Sequence, residues 1–165
     1  MTDIVLIAHN LRSTHNIGSL LRTAEGLGVN KVIFSGYTPY PLEDNDQRLP
    51  HLAQKINRQI AKTALSAETM IDWQHITDLE LEISKLKSDG YVIVGLEQSA
   101  ASLKLNDYHA PNKIALIVGR EVEGIEPEVI ALCDLLVEIP MFGAKESFNV
   151  VQAAAMALYQ LRFVN

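Results

Sequence analysis

The apolar residues of this chain gather in unbroken runs. Residues 3–8 hold Ile4-Val5-Leu6-Ile7, Lys31–Ser35 holds Val32-Ile33-Phe34, and residues 91–96, Lys113–Val118 and residues 135–139 repeat the pattern. A strand with one face in water alternates apolar and polar residues, whereas a run apolar on both sides is buried on both. Residues 72–76 add a shorter strand. Between these runs lie segments with helical spacing, at residues 17–27, 52–65, 77–87, 127–132 and 148–163. Alternating helices and two-sided strands predict an α/β fold with a mostly parallel sheet flanked by helices. A length of 165 residues suits a single domain, residues 1–165. In such a sheet ligands sit beyond the C-terminal ends of the strands, so the loops after Leu96, Val118 and Ile139 are the candidate binding loops.

Helix ends carry recognisable signals. The loop 9–16 is rich in capping types and leads into the helix at 17–27, which stops at Gly28. On that helix Ile17, Leu20, Leu21, Ala24 and Leu27 form the apolar face, while Gly18, Arg22 and Gly26 stand at i, i+4 and i+8 off it. Two glycines in one helix, each costing about 0.5–1 kcal/mol against alanine, imply a packing or binding reason. Thr77 and Glu80 fit a capping box. Pro127 fits the first position of its helix. Residues 37–50 form a long loop with three prolines and an acidic patch, expected to be mobile. Ser147 reads as the cap of the last helix, whose residues are apolar nearly all round and call for burial on several sides.

Composition narrows the function classes. Hydrophobic residues make 48% and charged residues 21% of the chain, as in soluble globular proteins. No run is long enough to cross a bilayer and no signal peptide opens the chain, so no membrane partner and a cytoplasmic setting are expected. The single cysteine, Cys133, excludes an internal disulfide and a Cys-based zinc site, and the five histidines lack ligand spacing, so no metal is expected. The net charge of −6 is unevenly spread: residues 1–62 hold seven Lys/Arg against five Asp/Glu, and residues 63–165 hold seven against fifteen. Arg48 to Lys62 has four basic residues and no acid. An anionic partner would therefore meet the N-terminal third. Lys55, Arg58 and Lys62 share one helix face, either solvated or in contact with an RNA backbone.

Three segments carry a resemblance that covers essentially the whole chain. They are His15-Asn16-Ile17-Gly18-Ser19-Leu20-Leu21-Arg22-Thr23, Ile117-Val118-Gly119-Arg120-Glu121-Val122-Glu123-Gly124, and Ile139-Pro140-Met141 with Ser147-Phe148-Asn149-Val150. In order and spacing they resemble the three motifs of the SpoU/TrmH-type RNA ribose 2′-O-methyltransferases of the SPOUT superfamily. Phe148 stands where that family commonly has leucine, and no separate RNA-binding domain is expected. The resemblance implies a C-terminal deep trefoil knot and a homodimer through the C-terminal and first helices. It also implies S-adenosyl-L-methionine as cofactor and methyl transfer to a ribose 2′-hydroxyl, in tRNA ahead of rRNA. By matching position it assigns Arg22 as the main catalytic residue, with Asn16, Glu121, Ser147 and Asn149 completing the site. Leu96, Glu97, Gly119, Ile139, Met141, Ser147 and Phe148 would hold the cofactor. With RNA as the implied partner, Arg12, Arg48, Lys55, Arg58 and Lys62 are the candidate RNA contacts. A non-catalytic RNA- or cofactor-binding protein on the same fold is the alternative. A nicotinamide-dependent oxidoreductase is disfavoured because the first βα turn lacks Gly-x-Gly-x-x-Gly.

Overall fold

The computed structural model of the chain describes residues 2–164. Its strands are β1 (Asp3–His9), β2 (Lys31–Ser35), β3 (Trp73–Ile76), β4 (Val92–Leu96), β5 (Leu103–Lys104), β6 (Lys113–Val118) and β7 (Leu135–Glu138). Its helices are α1 (Thr14–Gly26), α2 (Pro50–Ala64), α3 (Leu79–Ser88), α4 (Pro127–Ile130) and α5 (Val150–Phe163). The strands join in one sheet of order β3-β2-β1-β6-β4-β7-β5, and every pairing is parallel. The α/β fold read from the sequence is therefore present.

The unbroken runs have a direct explanation. From β1, Ile4, Leu6 and Ala8 enter a core shared with α1, α2 and α5, while Val5 and Ile7 enter a second core shared with α3 and the segment around α4. In β6, Ile114, Leu116 and Val118 face the first core and Ala115 and Ile117 the second. Each of these central residues is at most 3% exposed, so neither face tolerates a polar side chain. The strand order also sets the site: β6, β4 and β7 are neighbours, so the three candidate loops emerge side by side.

Several helix boundaries differ from expectation. Helix α1 begins at Thr14, because Ser13 Oγ accepts the Asn16 N–H at 3.2 Å. Helix α3 is capped by Asp78, whose Oδ1 accepts the Leu81 N–H at 2.9 Å, instead of the Thr77–Glu80 box. Helix α5 begins at Val150, and its cap is Asn149, not Ser147; Asn149 Oδ1 accepts the Val151 N–H at 2.9 Å. Two capping residues compete there, and the one directly before the first helical turn wins. Nor is α5 buried all round: Val150, Ala154, Ala157, Leu158 and Leu161 are buried, but Met156, Tyr159 and Phe163 are exposed.

The helices are locked to one another at specific points. Gly18 lies against α2, where a Cβ would overlap Ile60 O and Thr63 Oγ1, so packing is the reason for this glycine. Gly26 faces open space. Arg162 of α5 donates from Nε to Leu27 O at 3.0 Å and from its terminal nitrogens to Gly28 O and Thr2 O, supplying partners to carbonyls at the end of α1. The loop expected to be mobile is cross-braced. Arg48 pairs with Asp46, donates to Tyr40 O at 2.9 Å and Pro41 O at 2.8 Å, and lies 3.7 Å over the Tyr40 ring. Tyr40 in turn stacks on His75 at 4.0 Å. The Arg48 guanidinium holds the Asp46 carboxyl far below the usual carboxylate range.

The C-terminal ends of β1 and β2 meet in a polar cluster. His9, 9% exposed, lies 2.8 Å through Nδ1 from Ser35 Oγ. Asn10 Oδ1 accepts the Tyr37 N–H at 3.1 Å, which turns its Nδ2 toward His9 Nε2 at 3.0 Å and Glu126 Oε1 at 2.6 Å. His9 Nε2 is thus an acceptor and Nδ1–H the donor, so the ring is neutral. Burial is the main cause that lowers its pKa below 6.5, opposed by Glu126 and aided by Arg120. No helix among the described residues is long and apolar enough to cross a membrane.

Two predictions follow from this geometry. Leu65 and Ser66 both hold positive φ, at 51° and 75°. Ser66→Gly relieves strain and raises the unfolding free energy by about 1 kcal/mol, read from urea midpoints. His9 has a depressed pKa when folded, so its stabilising effect is complete above 6.5 and is lost as pH falls below that value. The melting temperature should drop between pH 7 and pH 5, and His9→Asn should remove the part of that slope due to the imidazole.

Candidate active site

The six-residue loop after β6 is closed on itself. Arg120 and Gly124 exchange two backbone hydrogen bonds, at 3.0 and 3.1 Å. Gly119 lies so close beneath that a Cβ would stand 2.7 Å from the Gly124 backbone. Glu97, at the end of β4, accepts the Ile125 N–H on Oε2 at 2.7 Å and the Gln98 N–H on Oε1 at 3.2 Å. Its carboxylate fills the space over Gly124, whose φ of 72° only glycine adopts easily. Glu97 therefore anchors one binding loop to the next.

Above this anchor opens a cleft of about 740 Å³, counting its solvent-exposed mouth. Leu96, Glu97 and Gln98 line it from β4, and Val118 to Gly124 from β6. Glu138, Ile139, Ser147 and Phe148 line it from the stretch after β7, with Val150 and Ala153 from α5. Of the expected cofactor residues, Leu96, Glu97, Gly119, Ile139, Ser147 and Phe148 line this cleft, and Met141 does not. Residues not expected from the sequence also line it: Gln98, Val122, Glu123, Gly124 and Glu138 among them. Glu138 closes a strand on its own and leaves no pattern in the sequence. Gly124 was marked by its place in the second motif, without a sign that Glu97 would cover it.

The cleft is acidic. Glu97, Glu121, Glu123 and Glu138 face it, against one guanidinium, Arg120. Arg120 is drawn to Glu126 at 3.5 Å and Glu123 at 3.9 Å. Burial works against the Glu126 carboxylate, but the Asn10 hydrogen bond, a backbone hydrogen bond and the charge of Arg120 hold its pKa below the usual range. From Met141 to Phe148 no backbone N–H has a hydrogen-bond partner among the described residues, and of this strip Ser147 and Phe148 line the cleft. No group of three or more His, Cys, Asp or Glu side chains among the described residues is arranged to hold a metal ion.

At the mouth, three of the expected catalytic residues form a chain. Asn16 Nδ2 donates to Glu121 Oε1 at 3.3 Å, and Asn149 Nδ2 donates to Asn16 Oδ1 at 3.4 Å. Asn149 is fixed because its Oδ1 is engaged in capping α5. The cap role and the site role thus coincide in one side chain. Ser147 lies in the same cleft. Arg22 does not line it: it stands exposed on α1, with no hydrogen-bond or ion-pair partner among the described residues. Lys55, Arg58 and Lys62 are exposed along α2, and Arg12 is exposed beside Tyr37. Arg48 is turned inward to Asp46 and is not part of that surface.

Comparisons with known proteins agree with this geometry. Residues 3–159 match the SpoU rRNA methylase family. The chain is 32% identical over 159 residues to the 23S rRNA (guanosine-2′-O-)-methyltransferase RlmB of Neisseria meningitidis, covering 96% of this chain and 58% of that protein. It is 28% identical over 160 residues to a tRNA (guanosine(18)-2′-O)-methyltransferase of Borreliella burgdorferi, covering 96% and 65%. The chain thus spans about three fifths of the length of these curated relatives. Among solved structures, the A. aeolicus TrmH/SpoU tRNA modifying enzyme superposes with a TM-score of 0.79 at 21% identity, covering 97% of this chain and 74% of that one. An AdoMet-bound rRNA methyltransferase from Sinorhizobium meliloti superposes with a TM-score of 0.79 at 19% identity, covering 96% and 55%. With nearly its full length matched, the chain belongs to the SpoU rRNA methylase family.

Proposed function

We propose that the protein transfers a methyl group from S-adenosylmethionine to a ribose 2′-hydroxyl of RNA, tRNA ahead of ribosomal RNA. The observation that carries this reading is the Asn149–Asn16–Glu121 chain at the mouth of an acid-lined cleft. S-adenosylmethionine bears a sulfonium and an ammonium against one carboxylate, so its net charge complements the acids of the cleft. A nicotinamide dinucleotide would bring two phosphates toward the same acids. Two relatives named as ribose methyltransferases, one acting on 23S rRNA and one on tRNA, support the reaction class. The preference for tRNA rests on the small extent of the basic face, a single row on α2. A non-catalytic binding role would give no reason for the ordered amide chain.

The residues fit the cofactor. The free N–H groups of Ser147 and Phe148 and the backbone around Gly119 would hold its adenine and ribose, with Leu96, Ile139 and Phe148 as apolar walls. When bound it supplies an electrophilic methyl, so the chain's own work is to align and to stabilise. Glu121 braces Asn16, and Asn16 faces the incoming ribose. Arg22 orients the hydroxyl and its neighbouring phosphate and stabilises the developing alkoxide. A free guanidinium does not give up its proton easily, so stabilisation is the role that suits it.

Arg22 lies outside the cleft of its own chain, which gives the expected homodimer a catalytic purpose. Exposed Met156, Tyr159 and Phe163 on α5, with a groove formed by Leu105, Ile139, Pro140 and Ala155, offer the apolar surface for joining through α5 and α1. In that assembly Arg22 of one subunit serves the cleft of the other. The trefoil threading and a cytoplasmic setting belong to the same proposal. The insertion of β7 between β4 and β5 supports the threading.

Two measurements test the reading. Calorimetry should give one S-adenosylmethionine site per subunit. Arg22→Ala should leave that binding unchanged and lower methyl transfer by about 10²–10³-fold in a tritium-transfer assay. Normal transfer by Arg22→Ala would remove the role assigned to it. Mixing Arg22→Ala subunits with Glu121→Ala subunits should restore part of the activity that each variant lacks alone. Absence of any restoration would place Arg22 with the cleft of its own chain.

A further inference from the structure

Beside the mouth of the cleft stands an exposed aromatic side chain on a rigid mount. Tyr37 is 50% exposed, yet its backbone is fixed. Its N–H is held by Asn10 Oδ1 at 3.1 Å, and Gly36 before it takes a φ of 64°. Thr38 after it is 2% exposed; its Oγ1 donates to Ala8 O at 3.0 Å and accepts the Leu11 N–H at 3.1 Å. The turn after β2 is thereby pinned to the turn after β1. Over the ring lies the Arg12 guanidinium, 5.7 Å from the centroid and open to solvent. Arg12 also stands in the field of Glu123 and Glu121, acids of the mouth.

We propose that Tyr37 and Arg12 form a stacking platform for an unpaired RNA base beside the nucleotide presented to the cleft. This rests on the methyltransferase reading above. The sheet order supplies the placement: β2, β1 and β6 are parallel neighbours, so the turns after β2 and β1 leave the sheet on the same side as the loop after β6, to which Asn16 is tied through Glu121. A tyrosine face attracts any base by stacking, and a guanidinium beside the ring pairs with a phosphate. The two groups together fit a nucleotide of single-stranded RNA. Phe142 and Val122 are more exposed still, at 98% and 90%, but Val122 has no aromatic face to offer a base and no cation lies over the Phe142 ring among the described residues. The platform predicts a substrate whose target nucleotide sits in a loop or bulge, where a neighbouring base is free to turn outward.

The test uses the full chain with unfractionated tRNA and with ribosomal RNA, by filter retention at fixed salt, and S-adenosylmethionine calorimetry in parallel. Tyr37→Ala and Tyr37→Leu should weaken retention of at least one RNA roughly tenfold or more, and Tyr37→Trp should keep it. Arg12→Ala should weaken binding and lower the salt dependence by about one ion. Cofactor binding should be unchanged in all of them. If Tyr37→Ala does not fold, the Leu and Trp variants decide, since Leu keeps the apolar bulk and lacks the π face. Tyr37→Leu retaining RNA like the parent, while Lys55, Arg58 and Lys62 all changed to alanine loses it, would overturn the platform and leave the methyltransferase reading standing. A parent that binds cofactor and neither RNA would overturn both.

Discussion

The candidate site depends on one carboxylate reaching across two strands. Glu97 leaves β4 and accepts the N–H of Ile125, beyond the loop that follows β6. A charge-assisted bond of this kind is roughly twice as strong as a neutral one. Without it the loop 119–124 would lose its support over Gly124, and Glu121 would lose its position at the mouth. Through Glu121 the position of Asn16 would follow, and through Asn16 that of Asn149. A residue expected to touch the cofactor therefore has an earlier task, which is to shape the wall that the cofactor would meet.

The sequence disclosed the fold because burial leaves a pattern. β1 and β6 are apolar at every position that faces either core, and that pattern reads directly as a two-sided strand. The three binding loops were legible because a parallel sheet sends all its C-terminal loops to one edge. Side-chain direction was less legible. Arg22 sits six residues after Asn16 on the same helix, a spacing that turns it away from the Asn16 face, but where the cleft lies relative to that face only the packed structure reveals. Arg48 belongs by composition to a basic segment, yet Asp46 two residues earlier draws it inward. Ser147 and Asn149 are both good caps, and only the local backbone decides between them. Tyr37 gave no signal at all, because its exposure depends on a turn pinned by Asn10 and Thr38.

Charge is divided in space as well as in sequence. The acids gather around the cleft, while Lys55, Arg58 and Lys62 line α2. A cationic ligand and a polyanionic one would thereby meet separate surfaces. Arg12 lies at the boundary, beside both Tyr37 and the acids of the mouth. A phosphate approaching the mouth meets that guanidinium before it meets the carboxylates.

The clamp made by Arg162 has a mechanical consequence. At one end α1 touches α5 through the Asn16–Asn149 bond, and at the other through Arg162 on Leu27 and Gly28. Two helices fastened at both ends behave as a single strut. A shift at the start of α5, beside Ser147 and Phe148 of the cleft wall, would therefore carry α1 along with it. Whatever presses on the cleft end of α5 thereby also sets the stance of α1.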